Sequence, residues 1–392
     1  MTESAVGPRD GEPLVFSVEE YQSRLSHIRT EMRAQKVDML LVTSPENIYY
    51  LTGYRTTGYY MYQCLLVPLD SFPRFVVRKL EMTNVLGLSW VKDGLALEDN
   101  ADPLDGTIEG ITACGGHKGR IGFEDQGFFL PPRVLAGVRE RLPKAEFVPA
   151  SGIIERCRVI KSPAEISYIR TAAAAAVAGF TEGLAEVRPG RTENDVVAAV
   201  YRGMLHAGSE YPSSPPYVVA GARSALAHAS FEGREIRAGE IVYFEVGGCY
   251  KRYGGSIMRT VAVGKASSDV RRMATTMMRA LDAAIEVIKP GVTSGTVDEA
   301  GRRVVTEAGL GKFWLHRTGY SIGVGFPPGW GEGHIMDLKP GDGRVLEAGM
   351  TFHLVPLILV PDIGGIGYSE TVLVTATGCE VLTDCPRTLE VH

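Results

Sequence analysis

Four stretches of this chain read as short apolar strands: 241–248 (IVYFEVGG), 257–264 (IMRTVAVG), 350–360 (MTFHLVPLILV) and 368–378 (YSETVLVTATG). Glu245, His353 and Glu370 interrupt three of them where an apolar residue belongs. Glutamate is disfavoured in strands and costly to bury unpaired, so three such interruptions point to a site rather than to surface positions. A carboxylate in apolar surroundings becomes more basic, and can attack an electrophilic carbon or activate water. Two neighbouring carboxylates also push their pKa values apart, so that one serves as acid and the other as base. Each can accept two hydrogen bonds from a planar cation such as an amidinium or guanidinium.

These strands belong to the second of two segments. In the first, 18–35 has helical periodicity, with Tyr21, Leu25, Ile28 and Met32 on one face. The apolar runs VDMLLVTS and CLLVPLD follow, then GRIGFED, the helical stretch PPRVLAGVRERL and the strand AEFVPA. This alternation predicts an α/β domain over 15–153, followed by an α+β domain over 154–392. At the join, Ser162, Pro163 and Glu165 form a capping box with proline at the first helical position. The helix it opens carries Ile166, Ile169, Ala173, Phe180 and Leu184 on one face, and the alanines of 172–176 read as close helix packing.

The second segment contains a weak repeat: RPGRTENDVVAAVYRGMLHAG from Arg188 matches KPGVTSGTVDEAGRRVVTEAG from Lys289. Thr192 with Asp195, and Thr296 with Glu299, have capping-box spacing. A duplicated half-domain implies two similar halves facing each other across a sheet, with a site in the cleft between them.

Composition narrows the function classes. The 392 residues carry 41 Lys+Arg against 46 Asp+Glu, a net charge of −5, too mild to argue for nucleic acid or an anionic membrane. No apolar run approaches the roughly 18 residues a membrane span needs, and the polar N-terminus has no signal-peptide core. Six scattered cysteines without CxxC spacing point to reduced thiols and a cytoplasmic setting. Eight histidines and 46 carboxylates leave a metal enzyme possible by count alone.

The order of motifs resembles the pita-bread family of creatinase, aminopeptidase P, prolidase and methionine aminopeptidase over about residues 154–380. NIYYLTGY (47–54) resembles the strand-to-turn signature of the N-terminal domain in the creatinase and prolidase branch, and RVIKSPAEI its interdomain join. Metallopeptidases of this family bind two metal ions through two aspartates, a histidine and two glutamates. Here those positions hold Glu245, Ser256, Tyr320, Val355 and Glu370. Serine and tyrosine are poor neutral ligands, valine is none, and two carboxylates without a histidine would not hold two ions. The resemblance therefore implies a metal-independent enzyme without a cofactor. Its segments HRTGYSIGVGFPPGWGE (316–332), FHLVP and SET resemble the ectoine-hydrolase branch.

Residue by residue, the resemblance implies that His228 is a proton shuttle, Glu245 the nucleophile or base, and Glu370 its partner. Tyr320, His353 and Ser256 occupy the space vacated by metal, and His316 and Trp330 line the pocket, the latter with Phe326, Pro327 and Pro328. Arg55 and Tyr60 are carried over as substrate contacts, reaching the site from the neighbouring subunit of a homodimer. The expected activity is hydrolysis of a C–N bond in a small zwitterion, ectoine first. A creatinase-like amidinohydrolase, an Xaa-Pro peptidase and an inactive binding module are the alternatives.

Overall fold

A computed structural model describes residues 14–387 and 389. The chain divides into two compact units between Arg158 and Val159. This lies beyond the expected join after residue 153, because Ile153 and Ile154 are buried in the first unit's core.

The N-terminal unit is a six-stranded sheet in the order β4-β3-β2-β1-β5-β6. Its strands are β1 (Met39–Val42), β2 (Gln63–Pro68), β3 (Arg74–Arg78), β4 (Gly94–Leu97), β5 (Arg120–Phe123) and β6 (Glu146–Pro149). The helices are α1 (Val18–Ala34), α2 (Pro45–Thr52), α3 (Met82–Leu88), α4 (Pro103–Ala113), α5 (Pro132–Arg141) and α6 (Ile153–Arg158). Strand β1 pairs antiparallel with β2 and parallel with β5.

NIYYLTGY does not form the expected strand and turn. Its first six residues lie in α2, which starts at Pro45 and ends at Gly53 in the left-handed region, φ +78°. Every residue of this helix except Glu46 is buried, so neither the helical nor the strand period is visible in its sequence. Asn47 anchors it: its amide donates to Glu124 at 2.6 Å and to Glu155 at 2.7 Å, while its carbonyl accepts from Arg158 at 2.6 Å.

In the C-terminal unit, α7 (Pro163–Leu184) and α8 (Glu193–His206) precede β7 (Tyr217–Ala220) and the long hairpin β8 (Ile241–Tyr250) and β9 (Tyr253–Ala262). Next come α9 (Ser268–Val287), α10 (Ser294–Glu307), β10 (Gly319–Phe326), β11 (Gly329–Gly331) and β12 (Asp337–Leu338). The last strands are β13 (Thr351–Leu354), β14 (Leu357–Val360), β15 (Gly364–Gly367), β16 (Glu370–Val374) and β17 (Cys379–Val381). The main sheet runs β17-β16-β13-β10-β9-β8-β7, with β11 and β12 paired to β10. The expected strand over 350–360 is two strands: β13 stays in the main sheet, and past Pro356 the chain forms a separate ribbon, β14 with β15.

The capping box of α7 is present in both directions. Its alanines pack against the β8–β9 hairpin so closely that side chains are excluded on the sheet. A Cβ on Gly248 would come within 2.1 Å of the Ala172 carbonyl, and one on Gly255 within 2.4 Å of the Ala173 nitrogen.

The internal repeat is structural. Thr192 caps α8 in a full capping box with Asp195. Its counterpart is Thr293, not Thr296: Thr293 caps α10 and accepts from the Thr296 backbone N–H, because the Pro-Gly turn sets the helix start three residues earlier. In both halves the glycine of that turn donates to the chain opposite, Gly190 to Ile236 at 3.1 Å and Gly291 to Leu346 at 3.0 Å. The spacing that separates Ile236 from Leu346 also separates Glu245 from Val355, so the duplication puts a valine at the position equivalent to Glu245.

Candidate active site

Strand β8 brings Glu245 to a cavity of about 590 Å³ in the C-terminal unit, a volume typical of small-molecule sites. Glu245 pairs in register with Tyr217 on β7 and Met258 on β9, and both line the same cavity. Tyr243, two residues earlier on the same face of β8, donates to Glu245 Oε2 at 2.8 Å. Burial raises the Glu245 carboxyl pKa to about 7, and the Tyr243 hydrogen bond restrains that rise. At neutral pH Glu245 is therefore partly protonated and can act as base, acid or nucleophile.

Tyr320 and Trp330 form the wall opposite. Trp330 Nε1–H donates to the Tyr320 hydroxyl at 3.0 Å, and that hydroxyl lies 2.9 Å from His353 Nδ1. His353 Nε2 lies 2.7 Å from Ser369 Oγ. The pattern that satisfies every member has Tyr320 donating to Nδ1 and Nε2–H donating to Ser369. Burial lowers the His353 pKa to about 3, so the ring is neutral at any working pH. His353 thus stands behind Tyr320 and is fully buried. It does not line the cavity and instead accepts the hydrogen bond of the Tyr320 phenol. Trp330 also packs edge-on to Tyr217, with ring centres 5.9 Å apart.

His228 lies at the exposed rim, on the loop before β8, and has a left-handed backbone (φ +57°). His316 lines the cavity. Its Nδ1 donates to the Arg317 carbonyl at 2.6 Å, and its ring stacks on Trp314. Burial lowers its pKa. Pro328 joins this lining, whereas Phe326 turns away and packs on the buried Arg252 guanidinium.

Glu370 is placed elsewhere. It is fully buried and does not line the cavity; it accepts from Arg259 at 2.8 Å, Arg387 at 2.7 Å and the Thr383 hydroxyl. The expected partnership with Glu245 is corrected: two guanidinium groups hold this carboxylate in an ionic cluster. Ser256 is also buried away from the cavity, and its hydroxyl finds no hydrogen-bond partner among the described residues. Arg55 and Tyr60 belong to the N-terminal unit, in the segment after α2, where Tyr60 is 78% exposed. Sequence reasoning missed Tyr243, although the strand period of two already placed it on the face of Glu245. It also missed Tyr217, Ser214 and Arg317, which only the packing of β7, β10 and their loops brings to the cavity.

The donor set does not fit the paired metals of the family's peptidases. Of the five ligand positions, only Glu245 presents a carboxylate to the cavity. Val355 is apolar, Ser256 is sealed off, the Tyr320 hydroxyl is committed to His353, and Glu370 is held by arginines. Among the described residues no group of three or more His, Cys, Asp or Glu side chains could hold a metal ion.

Comparison with known proteins matches this architecture. Residues 24–160 match the Creatinase/Prolidase N-terminal domain and residues 167–376 the metallopeptidase family M24. An ectoine hydrolase from Halomonas elongata is 33% identical over 395 aligned positions, covering 96% of this chain and 98% of that protein. Among solved structures, an Xaa-Pro dipeptidase from Bacillus anthracis superposes with a TM-score of 0.82 at 27% identity, covering 95% of this chain and 100% of its own. The dipeptidase PepE from Mycobacterium ulcerans gives the same TM-score and identity, covering 96% of this chain and 99% of its own. With a creatinase-type N-terminal domain, a duplicated catalytic unit and a whole-length relative at this identity, the chain belongs to the metallopeptidase family M24.

Proposed function

We propose that this protein is a metal-independent hydrolase of small cyclic amidine zwitterions, with ectoine as its leading substrate. The observation that carries the reading is the cavity's single carboxylate, Glu245, set near neutrality by burial where the family's peptidases hold metal. A carboxylate that is the only acid of an aromatic-walled cavity suits a planar amidinium, which it can bind through charge and hydrogen bonds.

Opening an amidine ring needs one water. Its oxygen bonds to the amidine carbon, one C–N bond of that carbon breaks, and both protons of the water end on the departing nitrogen, giving an amide and an ammonium group. From ectoine the product is an N-acetylated 2,4-diaminobutyrate. Glu245 either takes a proton from that water, or its oxygen bonds to the amidine carbon as one C–N bond breaks and the leaving nitrogen is protonated, giving an imidoyl ester of Glu245 that water then cleaves at the Glu245 carbonyl to release the amide. Single turnover in ¹⁸O-water separates the two, since only attack leaves label in the Glu245 carboxylate. His228, at the rim, passes a proton to the leaving nitrogen in this reading, which its place in the cavity lining supports.

Incubation with ectoine, hydroxyectoine and creatine, followed by proton NMR, tests the reading. A new N-acetyl methyl signal is expected with ectoine. Consumption of creatine alone would favour the amidinohydrolase, and tight binding with no turnover a binding module. The solved dipeptidases favour a second reading, cleavage of Xaa-Pro dipeptides. Proline release that depends on added manganese would establish it. We also propose a cytoplasmic homodimer: the six cysteines are unpaired, no described helix is long and apolar enough to cross a membrane, and the resemblance to the creatinase branch carries the dimer.

A further inference from the structure

The cavity holds one carboxylate and one permanent cation. Among its lining residues Glu245 is the single acid, and the single arginine or lysine is Arg317, which also borders a neighbouring polar pocket lined by its ion-pair partner Asp337 and by Lys339. Arg317 precedes β10, and its guanidinium carbon lies 4.8 Å from the centre of the Tyr320 ring. Tyr320 also feels the charge of Glu245, with which it lines the same cavity.

The Arg317 guanidinium is charged and only partly engaged. Its Nε forms an ion pair with Asp337 at 2.5 Å, and the side chain keeps 39% of its surface exposed. Asp337 is shared with Lys339 at 3.8 Å, while the neighbouring Arg344 is taken by Asp342 at 2.6 Å. One carboxylate between two cations leaves positive charge over. Neither terminal nitrogen of Arg317 makes a hydrogen bond among the described residues. A guanidinium edge of this kind matches a carboxylate in a two-point contact.

We propose that Arg317 is the carboxylate-recognising residue of this cavity, selecting zwitterions that carry a carboxylate beside the amidine over amidines without one. The assignment rests on the cyclic-amidine reading of the site. In it the amidinium lies at Glu245, the carboxylate at Arg317, and the ring against Tyr320 and Trp330. A bound carboxylate gives Arg317 a second anionic partner without displacing Asp337 from Nε.

Calorimetry on the Glu245→Gln protein, which blocks turnover, reads the assignment as a difference between two ligands: ectoine, and the same ring lacking its carboxylate, 2-methyl-1,4,5,6-tetrahydropyrimidine. Glu245→Gln alone should bind ectoine roughly 10- to 100-fold more tightly than the bare ring, the range of a charge-assisted hydrogen-bonded contact. Adding Arg317→Gln should abolish that preference while the bare ring keeps its affinity within about 2-fold, and Arg317→Lys should restore part of it. A purely structural role would weaken both ligands alike. That result, or a preference that survives Arg317→Gln, overturns the assignment. A wild type that opens neither ring, with an Arg317-dependent preference intact, would refute the reaction and uphold the anchor. A wild type that neither binds nor opens either ring would refute both.

Discussion

Tyr243 donates a 2.8 Å hydrogen bond to Glu245, its second neighbour along the same strand. The strand period puts both side chains on one face, and that face opens into the cavity. Burial raises the Glu245 pKa and the tyrosine restrains it, so two adjacent positions set the charge state of the proposed catalytic group.

Removing the restraint should be visible in the pH–rate profile. Tyr243→Phe leaves the carboxylate without its donor, so the Glu245 pKa rises further above 7. The limb of the profile on which activity climbs should move upward by on the order of one pH unit, the equivalent of one hydrogen bond to a charged group. An unchanged limb would show that Glu245 is not the titrating group.

Stability should run opposite to activity. The Glu245 pKa is raised from 4.5 unfolded to about 7 folded, so between these values the folded state holds more of the proton. Stability from this group is complete below pH 4.5 and is lost as pH rises to about 7, while the active carboxylate form grows. Glu245→Gln should therefore raise the melting temperature at pH 8, corresponding to about 1–2 kcal/mol after allowance for the cavity's solvent, and leave no turnover. Equal melting temperatures at pH 8 would contradict the burial argument.

Glu370 separates a structural carboxylate from a catalytic one. Glu370→Gln leaves the buried Arg259 without its anionic partner, and Arg387 without one of its two. A loss of about 3–5 kcal/mol in denaturant unfolding is expected. A variant with wild-type stability but no turnover would return Glu370 to the chemistry.

Chelation should leave turnover unchanged. The cavity offers one carboxylate, two histidines and no sealed donor set, so dialysis against EDTA should alter ectoine opening by less than about 2-fold, where a dinuclear hydrolase would lose its nucleophile-generating ions. Loss of activity restored by manganese or zinc would sink the metal-independent reading.

Gly248→Ala probes the closeness of α7 to the sheet. The added methyl would stand 2.1 Å from the Ala172 carbonyl, which is backbone and cannot rotate aside. A destabilisation of about 1–3 kcal/mol by overpacking is expected in thermal melts.

The sequence by itself determined the two-unit plan, the capped α7, the repeat and the odd glutamate in β8. These features are local: a cap is read within four residues, and a buried carboxylate stands out against apolar neighbours. The helix α2 escaped because a helix buried at all but one residue, Glu46, has no polar face to reveal its period. What only the tertiary structure decided is which polar residues meet. Glu245 and Glu370 look equivalent in sequence, each a glutamate in a strand, yet one opens to a cavity and the other is enclosed by Arg259, Arg387 and Thr383. Arg317 and Tyr217 lie far from Glu245 along the chain and carry no local signal. They reach one site because β7 pairs with β8 while the segment before β10 folds over the same cavity, and long-range pairing of that kind is not encoded in any short stretch.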